Sequence, residues 1–215
     1  MENKDKQLIL TEADLLGQGA HKKVYRHPED PARCVKICFK EDDEDIRREL
    51  DYRHRCKRTY YSQMLPKYCG TVETNLGTGY VFELVRDFDG QMSRTLQTYL
   101  ENPGLCEAYF HTNLAGMLAE LKKELETDLL LSSVMEPYNF CVERVTPATY
   151  RFRCIDDLGA SSWIPLPYYF QHFALSRIRR YWRRFTDHLQ ADYGVTLTRQ
   201  VDGTTERIAD VNRTV

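Results

Sequence analysis

The sequence predicts an α+β protein, with a strand-rich N-terminal region over residues 15–85 and a helical C-terminal region over residues 86–195. Three observations lead there. Short segments with two-residue alternation and glycine-containing turns crowd the chain up to Val85. Beyond Arg86-Asp-Phe-Asp-Gly90, apolar residues recur at helical spacing over long stretches. Within the helical region a further hairpin, between Met135 and Gly159, places an amide (Asn139) and one or two carboxylates (Asp156, Asp157) at the same end.

A chain of 215 residues with 42% hydrophobic content is long enough for one large domain or two small lobes. Lys and Arg number 30 against 32 Asp and Glu, a net charge of −2, so no global field draws the protein to nucleic acid or anionic lipid. The cysteines are odd in number and form no C-x-x-C pair, which predicts buried free thiols in a reducing compartment. No apolar run reaches the roughly 18 residues of a membrane span, and the polar N-terminus precedes no signal core. The expectation is a cytoplasmic protein with no membrane span.

Residues 1–14 read as a polar, frayed lead with one short apolar run, Leu8-Ile-Leu10. Leu15 to Tyr25 then places Gly17 and Gly19 at a turn between strand-like flanks. Glycine there allows positive φ and lets backbone N–H groups approach an anion, although the same pattern serves a plain hairpin. After the turn chemistry of His27-Pro-Glu-Asp-Pro31, the alternation of Arg33-Cys-Val-Lys-Ile-Cys-Phe39 predicts a half-buried strand. Lys36 lies on the face opposite Val35 and Ile37. Either that face meets solvent, or the lysine is buried and needs a partner.

From Glu41 to Tyr60 the pattern turns helical, acids first and bases last, as the helix dipole favours. Ile46, Leu50 and Arg53 share one side, and Glu49 beside them is placed to meet Lys36. Tyr68 to Thr74 and Thr78 to Val85 flank Asn75-Leu-Gly77, a hairpin signal. Ser93 to Glu101 predicts a short helix capped by Ser93, and Gly104 to Leu130 a longer one. A backbone break at Trp163-Ile-Pro-Leu-Pro167 precedes a final helix from Tyr168 to Tyr193, which carries Arg177, Arg180 and Arg184 on one face. That face reads as a solvated flank of a core helix or as a surface for nucleic acid or a phosphorylated partner. Residues 196–215 read as a flexible polar tail.

The Met135–Gly159 hairpin brings together hard oxygen ligands of the kind that suit Mg²⁺, which takes one or two protein carboxylates plus phosphate oxygens and water. Taken in order, a Gly-x-Gly hairpin, a strand lysine, a helix glutamate, two strands, helices, a Pro-x-Asn loop and an Asp-x-Gly turn resemble the protein kinase fold in a compact bilobal form. More closely, Gly17 to Lys36, Arg47-Arg-Glu-Leu50, Gly70 to Thr74 with Gly77 to Val81, Asp87-Phe-Asp-Gly90 and Pro137-Tyr-Asn139 resemble the YrbL-type, PhoP-regulatory-network family of small bacterial protein-kinase-like proteins. The likeness covers residues 15 to 190 and rests on the combination of motifs and their order.

The resemblance implies an ATP and Mg²⁺ site. Gly17 and Gly19 match the phosphate loop, with Lys22 where a third glycine is usual, and Val24 matches the valine that packs on the base. Lys36 and Glu49 match the phosphate-binding lysine and its glutamate partner. Phe82 falls at the gatekeeper position, Glu83 and Val85 offer main-chain groups to an adenine edge, and Cys141 forms part of the apolar floor. Asn139 and Asp157 match the metal ligands, with Asp156 an alternative within the same turn.

One departure limits the chemistry. The position of the catalytic aspartate is Val134 and that of the nearby lysine is Glu136. A general base contributes roughly 10²- to 10⁴-fold, and valine supplies none; Ser132, Ser133 and Glu136 are the nearby substitutes. The expected function is therefore a kinase-like ATP-binding protein with a degraded catalytic loop, acting as a regulatory pseudokinase or a very weak phosphotransferase toward an unidentified protein partner or substrate. The alternative is an active phosphotransferase on a protein or small molecule. Nucleic acid is not the expected partner.

Overall fold

The computed structural model describes residues 7–39, 43–160, 165–202 and 205–213, with side chains as far as Val195. The helix start expected at Glu41, the break at Trp163-Ile164 and residues 1–6 of the lead lie outside the described residues. The architecture is α+β, with a strand-rich N-terminal sheet and a helical C-terminal region.

The sheet contains β1 (Leu15–Gln18), β2 (Lys22–Arg26), β3 (Arg33–Cys38), β4 (Tyr68–Thr74) and β5 (Gly77–Glu83), in the order β1-β2-β3-β5-β4, all antiparallel. Strand β3 sits at the centre, paired so that Lys36 faces Val24 on one side and Tyr80 on the other. Val35 and Ile37 point into a small apolar cluster with Leu8, Leu10, Tyr25 and Val81. Contrary to the half-buried expectation, Cys34 and Lys36 on the opposite face are buried as well, because helix α1 (Glu44–Arg55) and the C-terminal region cover them. The buried stripe of α1 is Ile46, Glu49 and Tyr52, rotated by one step from the expected Ile46, Leu50 and Arg53.

Residues 7–14 are not a frayed lead. The Leu8 N–H donates to the Glu73 carbonyl at 2.9 Å, the Asn75 side chain holds Leu10 through its N–H and carbonyl, and Leu8 and Leu10 are buried. Two leucines two residues apart supply the apolar face that a polar average conceals.

The C-terminal region is built from β6 (Arg94–Thr95), α2 (Leu96–Glu101), α3 (Gly104–Phe110), α4 (Leu114–Asp128), β7 (Phe140–Arg144), β8 (Tyr150–Cys154), α5 (Leu166–Tyr169) and α6 (Gln171–Tyr193). The helix expected from Gly104 to Leu130 is two helices. His111 takes a left-handed φ of 52° and Asn113 caps α4 by accepting from the Gly116 N–H. Ser93 caps nothing; it is buried and its hydroxyl donates to Asp87. Leu96, Leu100, Leu118, Leu121, Phe140, Trp182 and Phe185 form the large core, which Tyr52, Cys56, Met64 and Leu65 join from the N-terminal side.

The expected flexible tail is instead an antiparallel hairpin, β9 (Val195–Asp202) with β10 (Thr205–Arg213). Its sequence signal is Asp202-Gly203 between alternating runs, Val195-Thr-Leu-Thr and Ile208-Ala-Asp-Val. All seven cysteines are free thiols, five of them buried. Among the described residues, no helix is long and apolar enough to cross a membrane.

Candidate functional site

A cavity of about 710 Å³ opens between the sheet and the segments around β7 and β8. Of the expected site residues, Gly17, Gly19, Lys22, Val24, Lys36, Phe82, Glu83, Val85, Cys141, Asn139, Asp156 and Asp157 all line it, and Glu49 lies behind Lys36. They come from widely separated stretches of chain, which only the tertiary fold brings together.

One end is charged. Lys36 Nζ, almost fully buried, donates to the Ile155 carbonyl at 2.7 Å and lies 3.7 Å from Asp156 and 3.8 Å from Glu49. Its ammonium also sits 4.4 Å from the centroid of the Phe82 ring, a cation–π contact. Burial pulls the Lys36 pKa down, but Asp156 and Glu49 outweigh it and the net shift is upward, so the lysine stays charged. Lys22 reaches across the cavity to Asp156 at 2.6 Å. Burial raises the Asp156 pKa, yet Lys36 and Lys22 more than offset this and hold the carboxyl below its usual range. Glu49 has a nearer partner than Lys36: Arg53, one helical turn on, contacts it at 2.6 Å.

The acidic turn and the loop before β7 are laid side by side by backbone pairing. The Ser133 N–H donates to the Asp157 carbonyl, the Gly159 N–H to the Leu131 carbonyl, and Ser132 bridges Leu158. Asp157 takes a left-handed φ of 56°, and its carboxylate accepts from the Asn139 amide at 2.8 Å. Burial and the neighbouring Asp156 charge push the Asp157 pKa upward. A carboxylate held next to another in this way gains from a nearby cation. Among the described residues no group of three or more His, Cys, Asp or Glu side chains is placed to hold a metal ion. Asn139, Asp156 and Asp157 would leave several positions on a hard divalent cation to water and ligand oxygens, which is Mg²⁺ chemistry.

The other end is apolar, lined by Val24, Cys34, Phe82 and Cys141. Burial raises the two thiol pKa values to about 11 and about 12, so both stay protonated. At its rim the Leu84 N–H is spent on the Ala32 carbonyl and the Val85 carbonyl on the Ser93 N–H. Among the described residues the Glu83 carbonyl receives only a 4.0 Å contact from the Cys34 thiol, and the Val85 N–H makes no hydrogen bond. That leaves an acceptor and a donor two residues apart.

Neither Val134, at the position of the catalytic aspartate, nor its three candidate substitutes line the cavity. Val134 is exposed, Ser132 donates to the Val134 carbonyl, and Ser133 donates to the Asp157 carbonyl. The Glu136 carboxylate contacts His188 on α6 at 3.2 Å. Sequence reasoning missed Arg53 as the main partner of Glu49. It also missed Arg153, buried on β8 with hydrogen bonds to Glu83 and Glu143 at 2.7 Å each, which ties the rim to the β7–β8 hairpin. The only signal for it was an arginine at an inward position of an alternating strand.

The structure thus defines an α+β protein with a cavity whose charged end is a buried lysine–carboxylate network. It belongs to the family described as PhoP regulatory network protein YrbL, whose model matches residues 8–190. The uncharacterized protein YrbL of Escherichia coli (strain K12) is 36% identical over 180 residues, covering 82% of this chain and 85% of that protein. The protein of the same name from Shigella flexneri matches with the same identity and coverage.

Proposed function

We propose that this protein is a kinase-like, bilobal ATP- and Mg²⁺-binding protein whose degraded catalytic loop makes it a regulatory pseudokinase or a very slow phosphotransferase. The observation that carries this reading is the meeting of Lys36, Glu49 and Asp156 from three distant segments, at 3.8 and 3.7 Å, at one end of a cavity that is apolar at the other. A cavity of about 710 Å³ is in the range of small-molecule sites.

In this reading Lys36, Lys22 and the backbone around Gly17 and Gly19 hold the phosphates. Asp156, Asp157 and Asn139 hold the metal, which neutralises phosphate charge. Val24, Phe82 and Cys141 enclose the base, and the Glu83 carbonyl and Val85 N–H address its polar edge. No general base faces the cavity from the Ser132–Glu136 loop, which favours binding over turnover. The family description, a regulatory network protein, accords with a role exercised through binding.

Thermal melting with and without ATP and Mg²⁺ tests this. At a ligand concentration of about 100 Kd the expected stabilisation is about 2.7 kcal/mol, and Lys36→Met abolishes it. Absence of any shift in the unaltered protein would sink the reading. Labelled γ-phosphate appearing on a protein or metabolite, and lost in Asp157→Ala, would instead establish an active phosphotransferase.

A further inference from the structure

Helix α6 carries two stripes. Ala174, Ile178, Trp182, Phe185 and Leu189 fill the core. The second stripe, Phe173, Arg177, Arg180 and Arg184, advances by four and three residues and therefore forms one continuous line along the helix, with Phe170 immediately before its start. Its first residue and the preceding Tyr169 and Phe170 are exposed aromatics: Tyr169 57%, Phe170 54% and Phe173 46%. Grouped large apolar side chains left in water mark a contact surface more often than scattered ones do.

Beyond them the stripe is cationic and ordered. The guanidinium groups of Arg177, Arg180 and Arg184 lie 5.4, 5.6 and 5.9 Å from the centre of the Tyr181 ring, and Arg177 donates to the Tyr181 hydroxyl at 3.1 Å. Arg179 pairs with Glu126, whereas among the described residues no carboxylate lies within ion-pair distance of Arg177, Arg180 or Arg184. Three cations gathered on one ring, with no counter-charge among the described residues, complement an acidic ligand, and their shared platform lowers the entropy cost of fixing them.

We propose that this stripe docks an acidic, amphipathic segment of a partner protein, its apolar side chains on Tyr169, Phe170 and Phe173 and its carboxylates on Arg177, Arg180 and Arg184. Two features favour a protein over a nucleic acid. The exposed aromatics are grouped at one end, and the ring among the cations, Tyr181, is half-buried, whereas a base-stacking surface interleaves exposed rings with its cations. The net charge of −2 also provides no wider positive field for a polyanion. Aromatic and arginine side chains together are the residue types on which protein interfaces concentrate their energy. This surface does not depend on the nucleotide reading, since α6 contributes nothing to the cavity wall.

The test is selection of a random peptide library on the purified full chain, with a short DNA duplex as the competing probe. Recovered peptides are expected to combine Asp and Glu with Leu, Ile or Phe. Their binding is expected to fall about tenfold or more in the R180E/R184E double variant and to weaken with salt, and to fall about tenfold in Phe173→Ser. Melting curves confirm that these surface variants fold. Peptides without acidic enrichment, binding retained in R180E/R184E, no enrichment at all, or tighter binding of the duplex than of any peptide would each overturn the proposal.

Discussion

Replacing Glu49 by alanine takes the buried carboxylate that faces the half-buried Arg53 at 2.6 Å and one of the two that face Lys36, at 3.8 Å, leaving Lys36 with Asp156 at 3.7 Å and the Ile155 carbonyl. Removing one member of a buried pair typically costs about 3–5 kcal/mol, and denaturant titration of Glu49→Ala is expected to show a loss of that size. Lys36→Met is expected to cost less, about 1–3 kcal/mol, the cost of leaving the Ile155 carbonyl without its donor. Asp156 keeps Lys22, Glu49 keeps Arg53, and the methionine lies against Phe82. Asp156 has a folded-state pKa below its ordinary 3.8. Its stabilisation is therefore present above that value and lost as pH falls through the folded-state pKa. Asp156→Asn should lower the melting temperature at neutral pH and flatten the acid limb of the stability curve. The residues alone left Lys36 and Glu49 open between solvent and a shared pair, and the pairing was legible through the resemblance in the order of motifs. Arg53 and Arg153 were not, since an arginine usually reaches solvent and only the fold revealed what surrounds these two.

At the scale of single elements, tight packing and capping make separate predictions. A methyl group added at Gly79 on β5 would stand 2.4 Å from Val35 Cγ1, with Thr74 and Ile37 also too close. Gly79→Ala is therefore expected to destabilise by about 1–3 kcal/mol in denaturant titrations. Helix α4 depends on Asn113 for its start, and Asn113→Ala should cost about 1 kcal/mol. The same helix carries Glu124, whose pKa burial and then the nearby Asp128 raise to about 7. A carboxyl that holds its proton more tightly when folded destabilises the fold once ionised, so stability should fall as pH rises from about 4.5 to about 7. Glu124→Gln should remove that slope and stabilise the protein above neutral pH by about 1 kcal/mol, the solvent-screened value for a half-exposed group. Melting temperatures of the two proteins across this pH range check it. The break between α3 and α4 escaped notice because helical periodicity continues across it; Thr112-Asn113 before an apolar run was the available signal.

For the molecule as a whole, the α+β division was legible from the change in hydrophobic period after Val85, and the gathering of the cavity residues from the order of motifs. The two ends of the chain were not, because polar averages hid short alternating runs there. Residues 7–10 are the clearer case: through Leu8 they lie parallel along the outer edge of β4, where the Glu73 carbonyl and Asn75 N–H take their hydrogen bonds. An uncovered sheet border recruits any extended chain, including a second copy of the same protein. A version shortened to begin at Thr11 would therefore expose an adhesive margin and should self-associate at concentrations where the full chain stays monodisperse, a difference that light scattering can measure.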